Sequence, residues 1–404
     1  MTVPSPVRTR FTRLWALVRD RRALTAGLYA AHLWAIFSIA ISNVFLALAV
    51  LVAPWRSQAT QWPRWRRILI PALLYLWCSG LSVAFSTSPG ESRARLGELF
   101  AFMTLALAPL AVRDERGLRW VLRGGLALAA GVSLWGLSQY FIGFGDIDNR
   151  IRGPFSHWMT FSGVLLLCDS LLLGTVFARG RKTPPLVWLV LALVNAALFG
   201  ALTRGAWVAL GISLLLMAAF TRRRMLLALP LLALLLVLLS PVSIVQRMLS
   251  ITDLSDESNY DRLCMLDAGL RMVAQHPMIG IGPDMVPLLY PLYRHPTAPR
   301  LWVQHLHDTF LQIAAESGLP TLAAYAWLML AAGRQAWRGL RREGRDGPRA
   351  DLYLGALVGI FAFAIAGLFE NNWGDSEVKR CALFLVALPF CLPESEPEQT
   401  PTAP

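Results

Sequence analysis

The sequence predicts an all-α protein, a polytopic transmembrane helical bundle of about twelve spans with a large helical loop between spans nine and ten. Three observations predict it. Hydrophobic residues make up 55% of the 404 and charged residues only 16%, a balance that no soluble domain needs. Apolar runs recur along nearly the whole length. The basic excess, a net charge of +13, is gathered in short Arg-rich segments between those runs, as the positive-inside rule requires. That placement argues against a nucleic-acid partner. The five cysteines, at 78, 168, 264, 381 and 391, form no CxxC, so neither a disulfide framework nor a zinc site is expected.

The elements follow in chain order. Residues 1–22 carry Arg8, Arg10, Arg13, Arg19, Arg21 and Arg22 and read as a cytoplasmic segment with no cleavable signal. Residues 23–54 exceed the roughly 20 residues one crossing needs. Both flanks are basic, so this stretch reads as two short helices hinged near Ser42-Asn43, with His32 interfacial. Further spans fall at about 68–85, 96–112, 120–141, 159–178, 185–202, 205–220 and 225–242, completing a membrane region over 23–242. A loop region, 243–317, follows. Spans at about 318–336, 351–369 and 377–392 close the bundle, and 393–404 reads as a disordered cytoplasmic tail. This count puts "RDERGLR", "ARGRK", "TRRR" and "RGLRREGRDGPR" on the cytoplasmic side. Every long or mixed-charge connection lands on the other face.

That outer face holds the candidate chemistry. "DESNYDRLCMLDAGLRMVAQHP" spaces Leu263, Leu266, Leu270 and Val273 as an amphipathic helix of about four turns. Ser258 is the expected cap and His276-Pro277 the stop. Arg262 and Arg271 fall about half a turn out of phase, so they cannot share one ligand. Arg204 occupies a tight outer turn where the charge rule expects no cation; such a residue has a partner or a function, or snorkels to lipid phosphates. His305 and His307 precede the helix "DTFLQIAAES", capped by Asp308 or Thr309 and closed by Gly318. His307 therefore sits at a helix N-terminus, which attracts anions, and imidazole suits proton transfer near neutral pH. An interfacial hydrogen-bonding role remains open. A metal site is not expected, because no third ligand stands out. Glu370, Asn371, Asn372, Asp375 and Glu377 pair with outer cations or form a solvated turn. The spans are nearly free of mid-membrane charge and show no internal repeat, which argues against a transporter.

Four segments occur in order: "LTRGAWVAL", "DRLCMLDAGLRMVAQHPMIGIGP", "HLHDTFLQIAAESGLP" and "GLFENNWGDSEV". Together they resemble the O-antigen ligase / O-antigen polymerase family of bacterial inner-membrane glycosyltransferases. The resemblance implies an enzyme of the inner membrane whose active site faces the periplasm. Its donor is a glycan on undecaprenyl pyrophosphate. In the ligase the acceptor is a sugar hydroxyl of lipid A–core, and membrane lipids surround both. It implies an inverting reaction with no cofactor and no metal. Carried over position by position, His307 resembles the essential loop histidine, and Arg204 and Arg262 the pyrophosphate-binding arginines. Arg95, Arg271, His305, Asp308 and Glu370 are candidate supporting residues. Polymerase and oligosaccharyltransferase activities share these motifs.

Overall fold

A computed structural model describes residues 20–55, 62–112, 114–146, 149–221, 242–253 and 255–392, with isolated positions at 226–227, 230, 234 and 238. Among the described residues the protein is helical, with no strand. The helices are α1 (Arg21–Trp34), α2 (Ile39–Val52), α3 (Trp62–Ala84), a helical stretch from Pro89 that ends in α4 (Met103–Ala111), α5 (Glu115–Ser138), α6 (Trp158–Arg179), α7 (Pro185–Gly200), α8 (Arg204–Thr221), α9 (Val242–Leu249), α10 (Glu257–Gln275), α11 (Val286–Tyr293), α12 (Thr309–Glu343), α13 (Ala350–Ala366) and α14 (Ser376–Cys391). Four segments are long and apolar enough to cross a membrane: Pro63–Ala84, Pro89–Ala111, Glu115–Ile142 and Trp158–Lys182. Shorter apolar helices include Ile39–Val52, Pro185–Gly200, Arg204–Ala219 and Ala350–Ala366. The chain is a multi-pass membrane protein. The expected span at 225–242 falls mostly outside the described residues, as do most of 1–22 and all of 393–404.

The apolar stretch at 23–54 does divide in two, but earlier than Ser42-Asn43. The break lies at Ala35–Ser38, where Ser38 caps α2 by accepting the Ile41 amide at 3.4 Å. His32 is not interfacial. It is fully buried between α1, α2 and α4, with Nε2 2.9 Å from Thr104 Oγ1 and Nδ1 2.8 Å from Ser42 Oγ. The spans also carry one mid-helix acid the sequence reading passed over. Asp169 is fully buried in α6, and Asn195 of α7 donates to it at 2.7 Å.

Small residues set the closest helix crossing. A Cβ on Gly174 of α6 would come 2.5 Å from the Gly355 amide of α13, so the backbones meet directly, as small-residue seams in membranes allow. The two ends of the bundle differ in chemistry. At one end buried Asp351 takes Arg119 at 3.0 Å and Arg179 at 2.8 Å, and Arg345 donates to the Thr221 carbonyl at 2.9 Å. These tie together segments that the charge rule assigns to one side. Helix α6 begins at the other end, and its 22 residues span about 33 Å. There the connections around 95, 150–160, 202–204, 300–307 and 370–375 line a single cavity.

Helix α10 does run to His276, but Asp256 caps it rather than Ser258, accepting the Asn259 amide at 3.2 Å. Its nineteen residues make about five turns. Its leucine stripe also faces outward: Leu263, Leu266 and Leu270 are exposed. The buried face is Met265, Ala268, Gly269 and Met272. Ala268 and Gly269 let α10 approach α12 so closely that a Cβ on Gly269 would strike Leu311; leucines would hold the helices apart. Helix α12 breaks at Gly318, with φ +82° and ψ 165°, and resumes through Pro320. The corner is pinned: the Ile281 and Gly282 amides donate to the Ala315 and Glu316 carbonyls at 2.9 Å, and the Leu319 amide to Pro277 at 2.8 Å.

A Cβ at Gly318 would clash with the Met278 carbonyl, and this φ/ψ region is essentially restricted to glycine. We expect Gly318→Ala to cost at least about 1–3 kcal/mol. Thermal melting of the purified protein checks it, and an unshifted melt would show that the corner is not constrained as described.

Candidate active site

The cavity measures about 840 Å³. Among the described residues, three non-glycine residues have positive φ: Leu202 (+52°), Asp284 (+63°) and His307 (+52°). All three line this cavity. Left-handed backbone costs roughly 1–2 kcal/mol per residue and gathers where surrounding structure holds a site in place.

His307 precedes α12, whose N-cap Asp308 accepts the Leu311 amide at 2.8 Å. The loop between α13 and α14 brings Glu370 to it, with Oε2 2.8 Å from His307 Nδ1. Thr309 adds a second tie, its hydroxyl donating to the Glu370 carbonyl at 3.0 Å. Burial opposes ionisation of Glu370, but His307, His305 and Arg262 outweigh it and hold the carboxyl down at about 2. An ionised carboxylate only accepts, so His307 Nδ1 is the donor in this hydrogen bond. His305 stacks beside it, with ring centroids 4.2 Å apart. Burial is the main cause that lowers His305 to about 4, so it stays neutral at pH 7. Its Nδ1 accepts the His307 amide at 3.3 Å. Trp373 anchors this loop. It is buried among Tyr75, Phe102, Tyr325 and Phe363 and donates to the Tyr75 hydroxyl at 2.9 Å.

A group of guanidinium side chains lies along the same lining. Arg204 is buried and donates to Ser250 Oγ at 2.9 Å, to the Ser250 carbonyl at 2.8 Å and to Asp256 at 3.1 Å. Arg247 shares Asp256 at 3.8 Å. Among the described residues no hydrogen bond or ion pair holds the Arg262 guanidinium. Burial lowers its pKa first, and Arg204 adds to that, while Glu370 works the other way. Arg204, Arg247 and Arg262 repel one another, while Asp256, Asp261 and Glu370 partly offset that charge. Arg95 also lines the cavity, but Asp284, at 2.6 Å, and Glu98 occupy it.

Arg271 is the exception among the expected residues. It lies outside the cavity lining, half exposed, and pairs with Asp267 one turn back at 2.8 Å. This is the half-turn offset from Arg262 made concrete. Sequence reasoning missed Arg150, His157, Arg247, Asp261, Arg300 and Glu316, all in the lining. Arg150 sits over the Trp158 ring at 4.8 Å. Nothing in their local sequence separates them from solvated polar residues.

The sequence reading saw no third metal ligand, yet Glu370 arrives from 63 positions downstream. One of its oxygens and one ring nitrogen from each of His305 and His307 lie within 4.8 Å of one another. The 2.8 Å His307–Glu370 separation is that of a hydrogen bond, whereas ligands at tetrahedral zinc distances stand ~3.3 Å apart.

Residues 187–326 match the family model described as O-antigen ligase. That segment, 140 of the 404 residues, is similar to the O-antigen ligase family. It runs from α7 into α12 and includes Arg204, Arg247, Arg262, His305 and His307, while Glu370 lies beyond it. No curated protein matches the chain.

His305 gives a pH test. Its folded-state pKa, about 4, lies below the ordinary 6.5. Between those values the unfolded chain binds a proton that the folded one does not, so stability falls as pH drops from about 6.5 to 4. We expect His305→Gln to flatten the pH dependence of the melting temperature in that window. An unchanged profile would mean that His305 does not contribute.

Proposed function

We propose that the protein is an O-antigen ligase, transferring a glycan from undecaprenyl pyrophosphate to a sugar hydroxyl of lipid A–core at the periplasmic face of the inner membrane. The observation that carries this reading is the convergence of Arg204, Arg247 and Arg262 with the His307–Glu370 pair on one cavity at one end of a membrane bundle.

Departure of the carrier leaves a diphosphate anion. Arg262, which no described residue pairs with, and Arg204 and Arg247 in the same lining stabilise that charge by charge-assisted hydrogen bonds. His307 Nε2 takes the proton of the acceptor hydroxyl as that oxygen attacks the anomeric carbon. Glu370 orients the ring and stabilises the imidazolium that forms. Attack on the face away from the diphosphate inverts the anomeric centre. A smaller groove of about 240 Å³ also reaches Arg204, Arg262 and His307, with Val208, Leu263, Leu266 and Phe369 in its lining. Its apolar wall suits a lipid tail, and this explains the outward leucines of α10. Membrane confinement of both substrates lowers the entropy cost of their encounter.

In proteoliposomes supplied with both lipid substrates, His307→Ala should lower transfer about 10²–10⁴-fold and Arg262→Ala about 10²–10³-fold. Near-normal transfer by either variant would remove its role. EDTA should leave the rate unchanged; loss restored by a divalent ion would assign His305, His307 and Glu370 to a metal. Transfer onto a second lipid-linked glycan instead of the core would mark a polymerase. In spheroplasts, a cysteine at Thr297 in a cysteine-free background should react with an impermeant maleimide. Reaction only after lysis would reverse the orientation.

A further inference from the structure

The cavity lining is electrically divided. Besides the arginine group, the lining carries Glu98, Asp284 and Glu316 around Arg95, and Asp375 near Glu370 and Lys379. Both cations are already engaged there. Arg95 pairs with Asp284 and Glu98, and Lys379 donates to the other Glu98 oxygen at 2.9 Å. Glu316 forms no ion pair with either. Its Oε1 is buried and accepts no hydrogen bond, which is costly in a folded protein unless a donor arrives.

The backbone at Glu316 is held rigidly. Its carbonyl accepts from Ser82 Oγ at 2.7 Å and from the Gly282 amide at 2.9 Å, just before the corner at Gly318. Asp375 is built similarly. It occupies the N-cap position of α14 without capping the helix. Instead its Oδ2 accepts the Thr160 hydroxyl at 2.9 Å, and Oδ1 takes no hydrogen bond from any described residue. Two carboxylates with spare acceptor capacity in a cavity of about 840 Å³ suit a polyhydroxylated ligand.

We propose that Glu316, seconded by Asp375, binds the acceptor sugar through its hydroxyl or ammonium groups, and that these carboxylates disfavour acceptors bearing phosphate or carboxylate beside the accepting hydroxyl. The inference rests on the transfer reaction proposed above. Burial raises both carboxyls to about 7; when ionised they repel the diphosphate that the arginine group attracts, so one cavity sorts its two substrates by charge.

The test uses the full-length protein in nanodiscs. Binding of a deacylated core oligosaccharide is measured by calorimetry, apart from any transfer. Glu316→Gln should weaken that binding about tenfold or more, as loss of a hydrogen bond to a charged group does. It should raise the acceptor KM by a similar factor while donor KM holds. An oligosaccharide phosphorylated beside the accepting hydroxyl should bind wild type poorly and Glu316→Gln comparatively better. If Glu316→Gln melts early, Asp375→Asn serves, with a several-fold loss expected. Unchanged acceptor binding overturns the proposal, as does a shift in donor KM alone. Wild type that binds the oligosaccharide in a Glu316-dependent way yet transfers nothing would instead overturn the reaction.

Discussion

The hydrogen bond between Glu370 and His307 is the constraint on which the site depends. Glu370 is a buried carboxylate, and a lone buried charge is expensive. Its tolerance rests on the two imidazoles and on Arg262. The same contact makes Nδ1 the donating nitrogen of His307. It also joins a loop near the end of the chain to the start of α12. Remove the carboxylate and His307 loses its acceptor, its orientation and its counter-charge together.

Trp373 makes that constraint rigid. Four aromatic rings surround it at centroid distances of 4.9–6.1 Å, so Glu370 and Asp375 are carried on a loop whose anchor is in the apolar core. The left-handed residues have their own ties: Leu202 packs with Trp207 and Ile244, Asp284 pairs with Arg95, and His307 bonds Glu370. The site is therefore preorganised by the bundle, although its chemistry comes from connections between helices.

Much of the helical order was legible because apolar run length and arginine placement are one-dimensional signals. His307 and Arg204 stood out because each broke a local expectation, imidazole at a helix mouth and a cation where the charge rule wants none, whereas Arg262 entered only through the resemblance; all three line one cavity. Glu370 was visible only as part of an acidic turn, since its partner lies 63 positions away. Arg247 and Glu316 look like ordinary helix residues. The leucine stripe of α10 marked an amphipathic helix but not which of its faces is buried. In water a leucine stripe marks the core, whereas beside a bilayer it can equally mark the outside. His32 was misplaced because its satisfying partners, Ser42 and Thr104, come from two other helices.

The pinned corner at Gly318 gives α12 the form of a bell-crank. Its lower arm runs through the bundle and its upper arm begins at His307, with three backbone hydrogen bonds to the 277–282 strap preventing free flexing. A lever that cannot bend at its elbow passes on every inclination of its shaft. Bilayer thickness, by setting how steeply that shaft leans, would then adjust the height at which the imidazole meets its substrates.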